Sequence, residues 1–188
     1  MSFPPVSVAV VLDRGGQVNR QLLQGVIMTQ PVSSVGQDDH EVLQHFFARG
    51  GSIRMLADIK QNDIDQLYAY ATQLFDAGEI EGARNVYYML VRIDHWNFDC
   101  WLALGLCHQR LGLHEEAVVS FGRAGMIKVD DPRSAYFAGI SHSVIGNTEF
   151  ARKAFNAAIK WCNQNPEHET IQRSAAQLLA HCAVEVSA

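Results

Sequence analysis

The chain has 188 residues, of which 48% are hydrophobic and 19% charged, with a formal net charge of −5 at pH 7. That balance suits one soluble globular domain, with or without a tail, and it carries no basic stripe that could displace counterions from nucleic acid or an anionic membrane. The longest apolar run, Val6 to Leu12, spans seven residues including a serine, too few to cross a bilayer; no basic region precedes it to make a secretory signal.

In chain order, residues 1–37 are expected to be a flexible extension. Its first 27 residues, with Pro4, Pro5, Gly15 and Gly16, have no helical periodicity, and Met28 offers an alternative start. Residues 38–62 read as an N-terminal helical segment: a helix through Phe47, a break at Gly50–Gly51, and a short helical stretch containing Met55, Leu56 and Ile59. Leu43, Phe46 and Phe47 make an apolar face. It suits either a homodimer contact or a fold-back cap on the segment that follows.

From residue 63 the chain repeats itself. Gly112, Ala117, Phe121, Ala124 and Pro132 return 34 residues later as Gly146, Ala151, Phe155, Ala158 and Pro166, and Gly78, Ala83 and Tyr87 precede the set by the same interval. Residues 63–165 thus divide into units 64–97, 98–131 and 132–165. Asp63, Asn97, Asp131 and Asn165 stand just before successive units or close the last. Each is a residue type whose side-chain oxygen caps a helix N-terminus, and two are followed by proline at the first helical position. Inside a unit, an apolar helical stripe ends at glycine, read as a left-handed cap, and a second stripe follows. Small Ala71, Gly105 and Gly139 let the paired helices approach, and aromatic Tyr87, Phe121 and Phe155 fill the space between hairpins. Residues 166–188 are a terminal helix and tail, with Ile171, Ala175, Leu178, Leu179 and Cys182 apolar, expected to cap the third unit.

No HExxH, C-x2-C, GxSxG or P-loop pattern occurs. Cys100, Cys107, Cys162 and Cys182 read as reduced packing residues. His108 and His142 occupy equivalent positions on neighbouring first helices, but a zinc site there needs two more ligands, so hydrogen-bonded packing is expected instead. No catalytic residue, metal or cofactor is assigned, and the chain is read as not an enzyme.

The "WLALG" and "AVVSF" segments match W-x2-L-G and A-x3-F, so the repeats resemble the tetratricopeptide (TPR) hairpin. The fold class expected is therefore all-α: a TPR superhelix of three hairpins, with N-terminal helices and a C-terminal capping helix. In such units positions 2, 5, 9, 12 and 13 of each first helix face the concave side. From the three units these include Tyr68, Thr72 and Phe75; Leu102, Leu106, Gln109 and Arg110; and Tyr136 and Ile140. The Lys/Arg/Asn cluster that clamps a terminal carboxylate is missing. An apolar, partly aromatic strip takes its place and suits an extended peptide, with Gln109 and Arg110 available to its backbone; about a third of the set is expected to pack against neighbouring helices instead.

A closer resemblance runs from about Asp39 to Leu179. "HFFARGGSIRMLADI", followed by "LYAYATQLFDAGEIEGARNVYYMLVRIDHWNFDCWLALGLCHQRLGLHEEAVVSFGRAGMIKVDDPR", resembles the class II chaperones of type III secretion, the LcrH/SycD/IpgC family, and is most similar to its SscA-like branch. The resemblance implies a non-enzymatic protein of the bacterial cytoplasm that binds an extended segment of a hydrophobic translocator, the large one first and the smaller one second, and often dimerises. It brings no nucleic acid and no direct membrane insertion. It also places Ile80, Ile93, His95 and Phe121 at positions that shape pockets or pack repeats. Ile80 replaces a common aromatic and Thr72 a bulkier apolar residue, which points to a wider or more polar pocket. The rival reading is a TPR scaffold or regulator that docks a secretion-apparatus component or a transcription factor.

Overall fold

A computed structural model describes residues 37–162 and 166–185, and every regular element among them is helical. The expectations for residues 1–36, for Met28 and for an Asn165 cap lie outside the described residues. The chain divides after Ala48 into two compact units. In the first, helix α1 (Gln37–Ala48) ends one residue past the expected boundary. The rings of Phe46 and Phe47 stand edge-on, 5.4 Å apart.

The second unit opens with a turn at Gly50 (φ 85°) and the single-turn helix α2 (Ile53–Leu56). Three hairpins follow, α3 (Gln61–Asp76) with α4 (Ile80–Ile93), α5 (Phe98–Arg110) with α6 (His114–Ile127), and α7 (Pro132–Ile145) with α8 (Thr148–Cys162). A 3-10 turn, Pro166–His168, leads into α9 (Glu169–Glu185).

The helix ends follow from local chemistry. Asn97 accepts a hydrogen bond from the Cys100 N–H and Asp131 one from Arg133, both at 3.0 Å, satisfying donors that the first turn leaves unpaired. Each first helix ends at a left-handed glycine, Gly78, Gly112 or Gly146. The next residue's N–H then reaches back five positions, from Glu79 to Leu74, Leu113 to His108 and Asn147 to His142, at 2.8–2.9 Å. The first hairpin departs from expectation at its start. Asp63 is not a cap: α3 begins at Gln61, after a left-handed turn at Asp58 (φ 48°), and the Lys60 carbonyl accepts from Asp63 and Ile64. Asp63 lies inside the first turn, where a carboxylate still complements the helix dipole. Ile59 falls between α2 and α3 rather than within α2.

Packing within the hairpins turns on two glycines. A methyl group added at Gly105 would sit 2.7 Å from Cδ1 of Phe121, and one at Gly139 would sit 2.6 Å from Cε1 of Phe155. The aromatic rings therefore fill notches on their own first helices, and they also reach onward, Phe121 stacking on Phe137 of α7 at 5.7 Å between centroids. The first hairpin has Ala71 instead, fully buried, and the larger Tyr87, whose hydroxyl lies 2.9 Å from Thr72 Oγ1. At the far end, Ala175 and Cys182 of α9 are buried with Ala151, Phe155 and Ala158, while Leu178 and Leu179 pack against that cluster. The cap expected of α9 is made.

The glycine-rich lead-in is tied to the junction between the first two hairpins. Arg54 Nη1 pairs with Asp94 Oδ2 at 2.9 Å, and Trp96 Nε1 donates to the Gly50 carbonyl at 2.7 Å. Asp94 is buried and also accepts from the Trp96 N–H at 3.2 Å.

Gly105→Ala is expected to lower stability by about 1–3 kcal/mol, because overpacking against a buried ring outweighs the roughly 1 kcal/mol that alanine contributes to helix propensity. Urea unfolding of the full chain checks this.

Candidate peptide groove

The first helices α3, α5 and α7 carry the expected groove residues, and the structure divides these into surface and support. Tyr68, Thr72, Phe75, Leu106, Tyr136 and Ile140 are all half-buried, and Arg110 is exposed. Leu102 is only 6% exposed and belongs to the core that the second hairpin shares with Phe137 and Ala138 of α7. It supports the floor instead of presenting a side chain there.

Two polar assignments change. The Gln109 amide donates to the Phe137 carbonyl at 2.9 Å and to Ser141 Oγ at 2.8 Å. Both its donors are spent bridging α5 to α7, which leaves only its side-chain carbonyl to accept from a peptide N–H. The Thr72 hydroxyl donates to the Tyr68 carbonyl at 3.0 Å. Its single proton is then committed, so Tyr87 is the donor of their 2.9 Å bond. Thr72 thus joins the two helices of its hairpin and adds little polarity to the surface. The Arg110 guanidinium lies over Phe75, 5.1 Å from the ring centroid, in a cation–π contact.

At the start of the first helices sits a charged row. Arg133 is held by Asp131 at 2.8 Å, lies 3.7 Å from Asp99, and stacks over Phe98 at 5.0 Å. Burial pushes the Asp131 carboxyl upward, but the hydrogen bonds from Arg133 outweigh it and hold it below the usual range. Tyr68 stands edge-on to Tyr87 at 5.4 Å. Burial, then Tyr87 and Asp99, push the Tyr68 phenol up to about 12. The hydroxyl is therefore a neutral donor at any physiological pH.

The expected pocket-shaping residues scatter. Ile80 and Ile93, at the two ends of α4, pack half-buried on the first core cluster, and Phe121 is fully buried in the second. His95 lends its carbonyl to Trp101 Nε1 at 3.0 Å. Its ring helps line a cavity of about 360 Å³ with Trp96, Trp101, Arg123, Met126 and Ile127. That cavity opens against α6, a second helix, and is not built from groove positions. His108 bonds Ser120 at 3.2 Å and His142 stacks on Phe150 at 5.4 Å. Burial holds both imidazoles below their ordinary value.

A tetratricopeptide repeat family matches residues 64–97. Low calcium response locus protein H (LcrH) of Yersinia pseudotuberculosis is 25% identical over 143 residues, which span 76% of this chain and 85% of the relative. Among solved structures, a type III secretion complex from Aeromonas hydrophila is similar with a TM-score of 0.76 at 25% identity, covering 78% of this chain and 98% of that one. PcrH of Pseudomonas aeruginosa, solved with the chaperone-binding region of PopD, has a TM-score of 0.66 at 27% identity, covering 68% and 96%. The chain is a relative of the type III translocator chaperones. In this translocator-chaperone relative, the Arg-Gly-Gly lead-in and the Asp-His-Trp junction, far apart in sequence, are brought together by the Arg54–Asp94 and Gly50–Trp96 bonds. Sequence reading missed that contact. It also missed a cavity of about 630 Å³ where Tyr136 meets Ser174, Gln177, Leu178, Ala180 and His181 of α9.

The buried thiols give a pH test. Burial, reinforced by Asp94, Asp99 and Asp65, raises Cys100 from 9.0 to about 12, and burial raises Cys107 to about 11. A folded-state pKa above the unfolded one means the folded chain holds its proton longer. That contribution is complete below pH 9 and is lost as pH climbs towards 12, with Tyr68 adding to the loss above pH 10. The urea midpoint is expected to fall steadily across this alkaline window, and a Cys100→Ala variant to show a shallower fall.

Proposed function

We propose that this chain is a cytoplasmic, non-enzymatic chaperone of a type III secretion system. It holds an extended segment of a hydrophobic translocator against α3, α5 and α7 and keeps the client soluble until export. The observation that carries this reading is the row Tyr68, Phe75, Leu106, Tyr136 and Ile140, apolar and half-exposed along successive first helices. An extended peptide laid across such a row buries alternate side chains, and each fully buried anchor contributes roughly 1.5–3 kcal/mol. After association costs, two or three anchors suffice for about micromolar affinity. The relative PcrH was solved with a chaperone-binding region of PopD, and no helix among the described residues here is long and apolar enough to cross a membrane. The first of these supports a holder of an extended client segment. The large translocator is the first candidate client and the smaller one the second.

Within this reading the groove residues are Tyr68, Phe75, Leu106, Arg110, Tyr136 and Ile140, with Thr72, Leu102 and Gln109 setting their positions from beneath. Arg110 swings off Phe75 to meet the client's main chain. Tyr68→Ala and Phe75→Ala are expected to weaken client binding by more than about 1 kcal/mol each with helical content unchanged, as titration calorimetry and circular dichroism measure. A client equally soluble with and without the chaperone on co-expression sinks the reading.

The rival, a scaffold docking a folded partner, draws on the α6 cavity, where Trp96 is 53% and Met126 72% exposed. Met126→Asp would then abolish partner capture while groove substitutions were silent. Self-association is assigned to α1, where Leu43 and Phe47 are exposed and Phe46 packs edge-on against Phe47. Paired Leu43→Asp and Phe47→Asp substitutions are expected to convert a dimer to a monomer in light scattering, with the repeat helices intact.

A further inference from the structure

The 34-residue register does not stop at the third hairpin. Counted from Pro166, the concave positions 9, 12 and 13 fall on Ser174, Gln177 and Leu178 of α9. These three, with Tyr136 from position 5 of the third unit, line the cavity of about 630 Å³ at the end of the groove, and His181 lies one turn further along. A helix that served only as a lid would have no reason to present groove positions in phase.

Gln177 is the register equivalent of Gln109. Both stand at position 12, two repeats apart. Gln109 spends its amide on the main-chain carbonyl of Phe137 and the hydroxyl of Ser141, on the next first helix. Among the described residues no first helix follows α9, and no hydrogen bond there engages Gln177, Ser174 or His181. Leu178 and Tyr136 give the cavity a half-buried apolar floor. Its edge is therefore lined with uncommitted donors and acceptors, while its base is apolar.

We infer that α9 forms a fourth bay of the groove. The bay takes one further apolar side chain of an extended client segment on the Tyr136–Leu178 floor, while Gln177 donates to a client main-chain carbonyl, as Gln109 does to that of Phe137. An extended peptide needs this combination, because its side chain seeks the apolar base and its unpaired carbonyl costs free energy unless a donor meets it. The inference rests on the groove reading above and lengthens the site from three helices to four.

The test uses the full chain and a fluorescein-labelled peptide spanning the PopD chaperone-binding region as probe, followed by anisotropy. Ser174→Trp fills the bay and is expected to weaken binding roughly tenfold, the loss of one anchor; Gln177→Ala is expected to weaken it about threefold, the loss of one hydrogen bond. Both are read against Tyr68→Ala, with thermal melting as the check on folding. If Tyr68→Ala weakens the probe while neither α9 variant does, the groove ends at α7 and the fourth bay is overturned, but the groove reading stands. If the unaltered chain does not bind the probe saturably, the groove reading fails and takes the bay with it. Should Ser174→Trp lower the melting temperature, the exposed Gln177→Ala variant decides alone, and unchanged affinity there counts against the bay.

Discussion

The architecture depends on an aromatic ring seated where a first helix has no side chain. Phe121 against Gly105 and Phe155 against Gly139 seat each ring where a Cβ on the facing first helix would clash. Every other feature of the unit is spaced to serve that contact. The left-handed glycine turns the chain back at the length that brings the ring level with its notch, and the next asparagine or aspartate starts the following helix. A solenoid has no central core, so each hairpin must make its own such packing, the first with Ala71 and Tyr87 in place of glycine and phenylalanine.

That requirement leaves limited chemistry for the concave side. Leu102, Thr72 and Gln109 occupy groove positions but help hold helix to helix, the first by burial and the other two by hydrogen bonds that commit their donors. What faces outward is mostly aromatic or aliphatic, bounded by the Arg133–Asp99 pair at one end and Arg110 over Phe75 at the other. A surface of this make-up suits binding by shape and desolvation, which reads little sequence detail. A holder of unfolded apolar chain benefits from that tolerance.

The sequence made the repeats legible because their signals are local. A cap, a left-handed glycine and a proline at the first helical position each act within one turn, so Asn97, Asp131, Gly112 and Gly146 could be placed without knowledge of tertiary contacts. Asp63 misled because its cap role in the register was overridden by the Asp58 turn, which lets α3 begin three residues earlier. Gln109 misled for a different reason. Its position on the helix was right, but its partners are on a helix 28 and 32 residues away, and no spacing rule reports which donors such a neighbour will claim. The pairing of Arg54 with Asp94, 40 residues apart, was equally invisible, although both segments lie in the stretch that carries the family resemblance.

The sealed thiols have a consequence for the environment the chain can tolerate. All four cysteines are buried, and Cys100 and Cys107 ionise only near pH 12 and 11. Peroxide attacks the thiolate, and at neutral pH these two supply almost none. Sulfenic acids and mixed disulfides thus have little foothold at Cys100 and Cys107, and a burst of oxidant leaves the packing around them undisturbed.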